Sequence, residues 1–256
     1  MPLMLGRKSR TFRPEIPHWS ALRQMKAPVP IPDAKNWLDG MSGNFGMMLN
    51  DQLGDCTCAG MYHARQVWTF NASGVEVTEP DSAVLDAYEE ACGYDPTNPA
   101  TDEGGAEQNV LSWWTKTGLE TTDGRDKLAA FIELDPRNLF DVKEAIYDCG
   151  LVYIGFNVPN WLMASGQVPT VWDDNLTGDN SIVGGHCVVL PGYDFSGSGE
   201  LFDLISWGSP YQMTAAFWNQ FVDEAYALFD ASWLAKTGKT PLGLTLAQAQ
   251  GLMRAL

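Results

Sequence analysis

Asn50-Asp51-Gln52-Leu53-Gly54-Asp55-Cys56-Thr57 sets a thiol between a glycine turn and the start of a helix. The residues that follow, CAGMYHARQVWTF up to Phe70, carry Met61, Ala64, Val67 and Trp68 on one face at helical period, and Asn71-Ala72-Ser73-Gly74 closes the element with turn residues. A cysteine placed there has a chemical use. Unpaired N–H groups and the positive helix end stabilise a thiolate and lower the thiol pKa. Gly54, two residues earlier, lets the backbone turn sharply enough for its amides to face the sulfur. Free cysteines also serve as small buried hydrophobes, so position alone does not assign Cys56 a role.

A partner is offered by the second half. Gly184-Gly185-His186-Cys187-Val188-Val189-Leu190-Pro191-Gly192-Tyr193 puts a histidine at the start of a strand, behind two glycines. Of the three histidines, His186 has the surroundings of a strand-end base. His63 falls one or two turns into the first helix and reads as a packed or capping residue. His18 lies in an N-terminal arm and receives no role.

Four segments surround this pair. Residues 1–48 form an arm in which Pro14, Pro17, Pro28, Pro30 and Pro32 interrupt any periodic pattern, a strap lying along the body or reaching a partner. Residues 49–130 read as a helical lobe. Its second helix opens at Glu79-Pro80-Asp81-Ser82, a loop covers 95–105, and a third helix near Glu107–Thr117 stops at Gly118. Residues 131–230 read as a β-rich lobe, with a helix over Leu139–Gly150, the buried strand LVYIGFNV, and strands over Gly185–Tyr193, Glu200–Trp207 and Glu224–Phe229. Residues 231–256 form a C-terminal tail or helix. Helices first and strands afterwards predict an α+β chain with two differently built lobes.

Composition narrows the function classes. With 256 residues, 45% hydrophobic and 11% aromatic, the chain can build a packed core. A formal net charge of −16 repels phosphate backbones, so nucleic acid is not an expected partner. No run of apolar residues is long enough for a membrane span, and the basic N-terminus lacks the apolar core of a secretory signal. The five cysteines, 56, 58, 92, 149 and 187, are an odd number at irregular spacing, which fits a reducing, non-secreted setting. No cofactor or metal is expected, because no His or Cys set sits at zinc-ligand spacing, and the acidic loop Asp95–Glu103, though able to meet calcium, lacks EF-hand spacing. Between Arg65 and Lys116 the helical lobe holds many carboxylates and no Lys or Arg. This is either a solvated face or a field that favours cationic peptides or a basic partner.

Taken in order, these residues resemble papain-like cysteine peptidases. The features are Gly54-x-Cys56 at a helix start, then Gly104-Gly105 with Leu111 and Gly118-Leu119, then Asp141–Ile146 leading through Gly150 to VYIGFNV. The fourth is His186 with Gly192-Tyr193, ahead of a strand ending Ser206-Trp207-Gly208. They cover roughly residues 50–230. The resemblance implies a two-lobed fold with an active-site cleft between a helical lobe carrying Cys56 and a β-rich lobe carrying His186. It implies an acyl-thioenzyme formed at Cys56 with His186 as base, and peptide or protein substrates. Gly104, Gly105 and Trp207 would line the substrate cleft. The oxyanion donors would be the Cys56 N–H and an upstream side-chain amide, Asn50 by the family's six-residue spacing, with Gln52 competing. Counting six back from Cys58 instead reaches Gln52, which makes Cys58 the rival nucleophile. Cys56 is preferred because Gly54 belongs to the nucleophile's turn. The family's imidazole-orienting Asn is replaced by Ile205, leaving Ser206 or Asp203 to substitute, or a bare dyad.

The chain is also similar to papain-like proteins encoded by bacteriophages, through N-D-x-x-G-D-C and the Ala59-Gly60-x-x-His63 pattern. That likeness implies residence in the host cytoplasm or the phage particle. Two functions follow: a cysteine peptidase or amidase, or a virion structural or capsid-decoration protein that uses the fold as a non-catalytic interaction module and meets other virion proteins through the arm.

Overall fold

The computed structural model describes residues 3–24, 30–174, 176–197 and 199–252, and Pro28 of the arm lies outside them. In chain order the elements are α1 (Trp19–Gln24), β1 (Ala34–Asn36), α2 (Cys56–Ser73), α3 (Asp81–Cys92), a single 3-10 turn (Pro99–Thr101) and α4 (Glu107–Lys116). A small hairpin follows, β2 (Leu119–Thr121) and β3 (Gly124–Asp126), then β4 (Leu128–Leu134), α5 (Leu139–Cys149), β5 (Val152–Pro159), α6 (Asn160–Ala164) and β6 (Val171–Trp172). The chain continues through β7 (Ile182–Asp194), β8 (Leu201–Ser206), β9 (Ser209–Thr214), α7 (Ala215–Phe221), β10 (Val222–Asp230), α8 (Ala231–Thr237) and α9 (Leu246–Leu252).

The main sheet runs β4-β10-β5-β7-β8-β9-β6, with β1 added along the far end of β7. Every pairing in it is antiparallel except β6 with β9. Alternating sides of these strands feed two apolar clusters, as the two-residue period of a strand requires. One lies between α5, α7 and the sheet and contains Val188, Leu190, Phe156 and Trp172. The other joins the sheet to α2, α3 and α4 and contains Val189, Tyr153, Ile205 and Met61. Helix α2 is therefore internal: every residue from Cys56 to Trp68 is buried. A helix whose first turn is enclosed by other elements holds the residues of that turn in a fixed place.

The sequence reading meets four differences. The arm holds a helical turn and a strand, because Trp19 and Leu22 are buried in the sheet-side cluster and β1 satisfies its backbone on β7. Pro80 sits at the N-cap of α3, one residue before the helix, with extended backbone. Strand β4, LAAFIEL, is fully buried between β10 and the helices and runs through position 130. Its alanines and leucines carry no strand signature of their own, and burial on both faces decides it. Strand β9, SPYQMT, was hidden by its proline, which sits opposite Ile205 of β8. Among the described residues no helix is long and apolar enough to cross a membrane.

Candidate active site

Cys56 is the first residue of α2, with Asp55 as an N-cap whose side chain makes no capping bond. The turn before it is tied down from the loop preceding α4. The Gly54 N–H donates to Asp102 Oδ1 at 3.0 Å, the Tyr88 hydroxyl donates to the same oxygen at 2.6 Å, and the Gly104 N–H donates to the Tyr88 oxygen at 2.9 Å. That network links the cysteine turn to the glycine pair. It also gives Asp102 a structural role, and among the described residues no group of carboxylates, histidines and cysteines is arranged to hold a metal ion.

The Cys56 sulfur accepts from the backbone N–H of Cys187. This brings the strand that carries His186 against the turn that carries Cys56. His186 is 1% exposed. Its Nε2 lies 2.8 Å from Ser206 Oγ, and its ring stacks on Trp207 with centroids 4.2 Å apart and planes 11° apart. Phe156 meets it edge-on at 5.7 Å. The Trp207 position comes from the β8–β9 hairpin, whose two turn residues Trp207 and Gly208 have φ of 44° and 73°. Positive φ at both central residues is the tight hairpin turn that matches strand twist, and here it lays the indole over the imidazole. The ring's other nitrogen, Nδ1, is buried without a hydrogen-bond partner. The structure thus has Ser206 in contact with the ring. Ile205 faces the helical-lobe cluster, and its neighbour along the strand faces the opposite side. Asp203 shares the Ile205 side: its carboxylate accepts from Gln212 Nε2 at 2.8 Å and lines an open cavity of about 380 Å³ with Asn36 and Tyr211. It does not meet the imidazole.

The remaining candidates separate by burial. Asn50 is 2% exposed and its amide donates to the Leu53 carbonyl at 3.2 Å. Gln52 is exposed and donates to Asp51, outside the cleft. Cys58 is fully buried within the first turn of α2 beside the Cys92 thiol, and burial pushes its pKa well up. His63 packs on Phe45 with Nε2 3.1 Å from the Gly46 carbonyl, and burial holds its pKa down at about 4. His18 sits half-exposed near Glu133.

The cleft is not empty. Residues 3–8 of the arm run through it as an extended segment. Met4 N–H donates to the Asn50 carbonyl at 3.0 Å, Arg7 N–H to Gly185 O at 3.0 Å and Lys8 N–H to Gly105 O at 2.9 Å, while Gly105 N–H donates to Gly6 O at 2.8 Å. The Gly6 N–H donates to the Cys56 sulfur, and the Trp207 indole donates to the Met4 carbonyl at 3.4 Å. The segment therefore lies on the three expected cleft residues, Gly104, Gly105 and Trp207. Contact is so close that a Cβ on Gly104 would stand 1.8 Å from Gly6 O. Only glycine fits at that crossing.

Burial shifts the pKa values of both Cys56 and His186. Burial pushes the Cys56 thiol up to about 12, the nearby Asp55 and Glu107 carboxylates add to it, and the two backbone N–H donors offset only part. Burial likewise pushes His186 down to about 3, with the Arg7 guanidinium and His63 adding to the shift. The helix-end stabilisation expected from sequence is outweighed, because a thiolate stripped of water costs more than a helix terminus returns. Both displacements favour the neutral thiol and the neutral imidazole.

Arg7 itself was not anticipated. Its guanidinium is buried among Glu107, Asp223 and Glu224, residues read from sequence only as a helix start and a strand end. Two adjacent acids opening an otherwise apolar strand were the available signal.

No protein-family model matches the sequence, and no curated protein matches it. Solved structures do. Xylellain, a cysteine protease from Xylella fastidiosa, aligns with a TM-score of 0.66 over 89% of this chain and 96% of its own, at 13% identity. The proCathepsin B S9 from Trypanosoma congolense aligns at 0.61 over 89% and 86%, with 11% identity. Digestive procathepsin L 3 from the Tenebrio molitor larval midgut aligns at 0.58 over 80% and 72%, with 12% identity. At such identities the likeness establishes the fold.

Proposed function

From the premise that the chain has the papain-like fold, we propose that it is a cysteine peptidase or amidase held closed by its own arm, with Cys56 as nucleophile and His186 as base. One observation carries this reading. The His186 ring is anchored on Ser206 through Nε2 and covered by Trp207, while its Nδ1 is left buried and unbonded on the strand that touches the Cys56 sulfur. A buried nitrogen without a partner is costly unless a function keeps it free.

In the proposed cycle the arm leaves the cleft and water or substrate enters. His186 Nδ1, with Nε2–H donating to Ser206, takes the thiol proton, and the thiolate attacks the carbonyl carbon. The Cys56 N–H and the Asn50 amide, turned from Leu53 O, hold the developing oxyanion. The imidazolium returns its proton to the leaving amine, and water then hydrolyses the thioester. Opening removes the Arg7 cation from the imidazole and hydrates the thiol, so both pKa displacements shrink toward each other.

The test is thiol alkylation. Full-length protein with a weakened arm contact should label at Cys56 with iodoacetamide faster than an ordinary free thiol near neutral pH. Labelling should vanish in Cys56→Ser, persist in Cys58→Ser and slow in His186→Ala. An arm-released, folded protein whose Cys56 labels no faster than a free thiol, with no effect of His186→Ala, sinks the peptidase reading and leaves the fold as a non-catalytic interaction module.

A further inference from the structure

Beside Cys56, between strands β5 and β7 and the start of α4, lies a pocket built around one side chain, that of Arg7. Its Nη1 pairs with Glu224, and its Nη2 lies 2.8 Å from Asp223 Oδ1 and 3.3 Å from Asn157 Oδ1. The acids are themselves held: the Tyr226 hydroxyl donates to the other Glu224 oxygen at 2.8 Å, and Asn157 Nδ2 donates to Asp223 at 3.1 Å. The walls are glycine. A Cβ on Gly155 would fall 2.5 Å from Arg7 Cδ and 2.6 Å from its Nη1, and one on Gly185 would fall 2.5 Å from the Arg7 carbonyl oxygen.

The pocket holds more carboxyl groups than Arg7 pairs with. Glu107 is 1% exposed, faces the same Gly155 wall 2.4 Å from that Cβ position, and neither of its oxygens makes a well-formed hydrogen bond. Three carboxyl groups therefore surround one guanidinium. Burial raises those of Glu107 and Glu224, and the Arg7 cation acts against that rise on both. A guanidinium seated here draws the acids toward ionisation and gains charge-assisted bonds, whereas without it they hold their protons. The geometry selects which cation. Glu224 and Asp223 approach different nitrogens of a planar fork, a match that a single ammonium cannot make.

We propose that this pocket is the specificity site of the enzyme, taking an arginine side chain of the peptide substrate one residue from the reacting position, and that Arg7 occupies it as the arm's own counterpart of that side chain. The inference rests on the peptidase reading for the word substrate, and on the Arg7 contacts for the word arginine.

The experiment separates the two. In full-length Arg7→Ala, with Arg7→Lys as the milder variant if the first does not fold, binding of Nα-acetyl-arginine methylamide is measured by calorimetry and by thermal shift. The neutral citrulline analogue and the lysine analogue serve as comparisons. Arginine should bind one-to-one and about a hundredfold more tightly than citrulline, the loss expected from two charge-assisted bonds, with lysine weaker than arginine. Adding Glu224→Gln should remove most of that difference. Fluorescence-quenched peptides with arginine, citrulline or leucine on either side of the reacting residue should show the same order in kcat/KM. Equal binding of arginine and citrulline, or turnover without arginine preference, overturns the pocket assignment and leaves the peptidase reading intact. Selective arginine binding with no turnover and an inert Cys56 supports the pocket and overturns the peptidase reading.

Discussion

Gly6 is the position where the closed state is most easily broken without touching the thiol, the imidazole or the acidic pocket. While the arm is seated, an alanine Cβ there would stand 1.7 Å from the Gly54 carbonyl oxygen and 2.1 Å from its carbon. Both are main-chain atoms of the cysteine turn, so no side-chain rotation relieves the clash and the segment has to lift. What it gives up includes the four backbone bonds of Met4, Gly6, Arg7 and Lys8 to Asn50, Gly105 and Gly185 and the buried Arg7 ion pairs to Asp223 and Glu224. The backbone bonds alone, at about 1 kcal/mol net each, hold the segment by about 4 kcal/mol, so no more than roughly one molecule in a thousand is open. Gly6→Ala should therefore raise the rate of Cys56 alkylation by about a thousandfold or more. The assay is intact-protein mass spectrometry of iodoacetamide labelling near neutral pH in full-length native and Gly6→Ala protein, with Cys56→Ser in each background and circular dichroism to establish folding. A folded Gly6→Ala protein that labels at the native rate refutes the argument, since the seated arm would then not be what shields the sulfur.

Three further outcomes are expected. Ser206→Ala removes the only hydroxyl on His186 Nε2 and should lower kcat on arm-released protein roughly tenfold with KM little changed; an unchanged kcat would show that Trp207 stacking alone orients the ring. Gly155→Ala drives a methyl into Arg7 and Glu107 and should cost about 1–3 kcal/mol by urea denaturation while speeding Cys56 labelling; native-like stability would contradict the close packing of the pocket. Asp230, the buried N-cap of α8, is pushed up to about 7 by burial, with the Asp126 carboxylate adding to it. A carboxyl whose folded pKa is raised favours the folded state below its unfolded value near 4 and loses that contribution as pH rises toward 7. Asp230→Asn, which keeps the acceptor for the Trp233 N–H, should flatten the fall in Tm between those limits; identical pH profiles for the two proteins would count against it.

Much of the helical lobe could be read directly. Helix α2 is legible in the glycine turn, the periodic Met61–Trp68 face and the stop at Gly74, and α4 ends two residues before Gly118. The candidate site is legible as local geometry: Gly54 lies in the turn that leads into α2 at Cys56, and Gly105 and Gly185 both bond to residues 3–8. What escaped was set by contacts distant in sequence. Ser206 rather than Asp203 reaches the imidazole because of strand alternation, and the meeting of Arg7 with Asp223 and Glu224 joins opposite ends of the chain. The direction of the Cys56 shift is not legible for the same reason: helix-end stabilisation is local, whereas the burial that raises the thiol is a property of the whole fold.

The arm is fixed at two depths. Residues 3–8 sit in the cleft, whereas Ile16 and Trp19 are buried in the body and β1 pairs with β7. Between them run residues 9–15, with Phe12 exposed at 74%. At about 3.5 Å per residue this link reaches no farther than about 25 Å, so a lifted segment stays within a small volume around its own seat. It faces the cleft at an effective concentration on the order of millimolar. Dilution cannot lift such a segment, and a peptide in trans must outcompete that local concentration. A single cut between residues 8 and 16 would change the same segment from a built-in competitor into a free peptide, whose hold then depends on affinity alone.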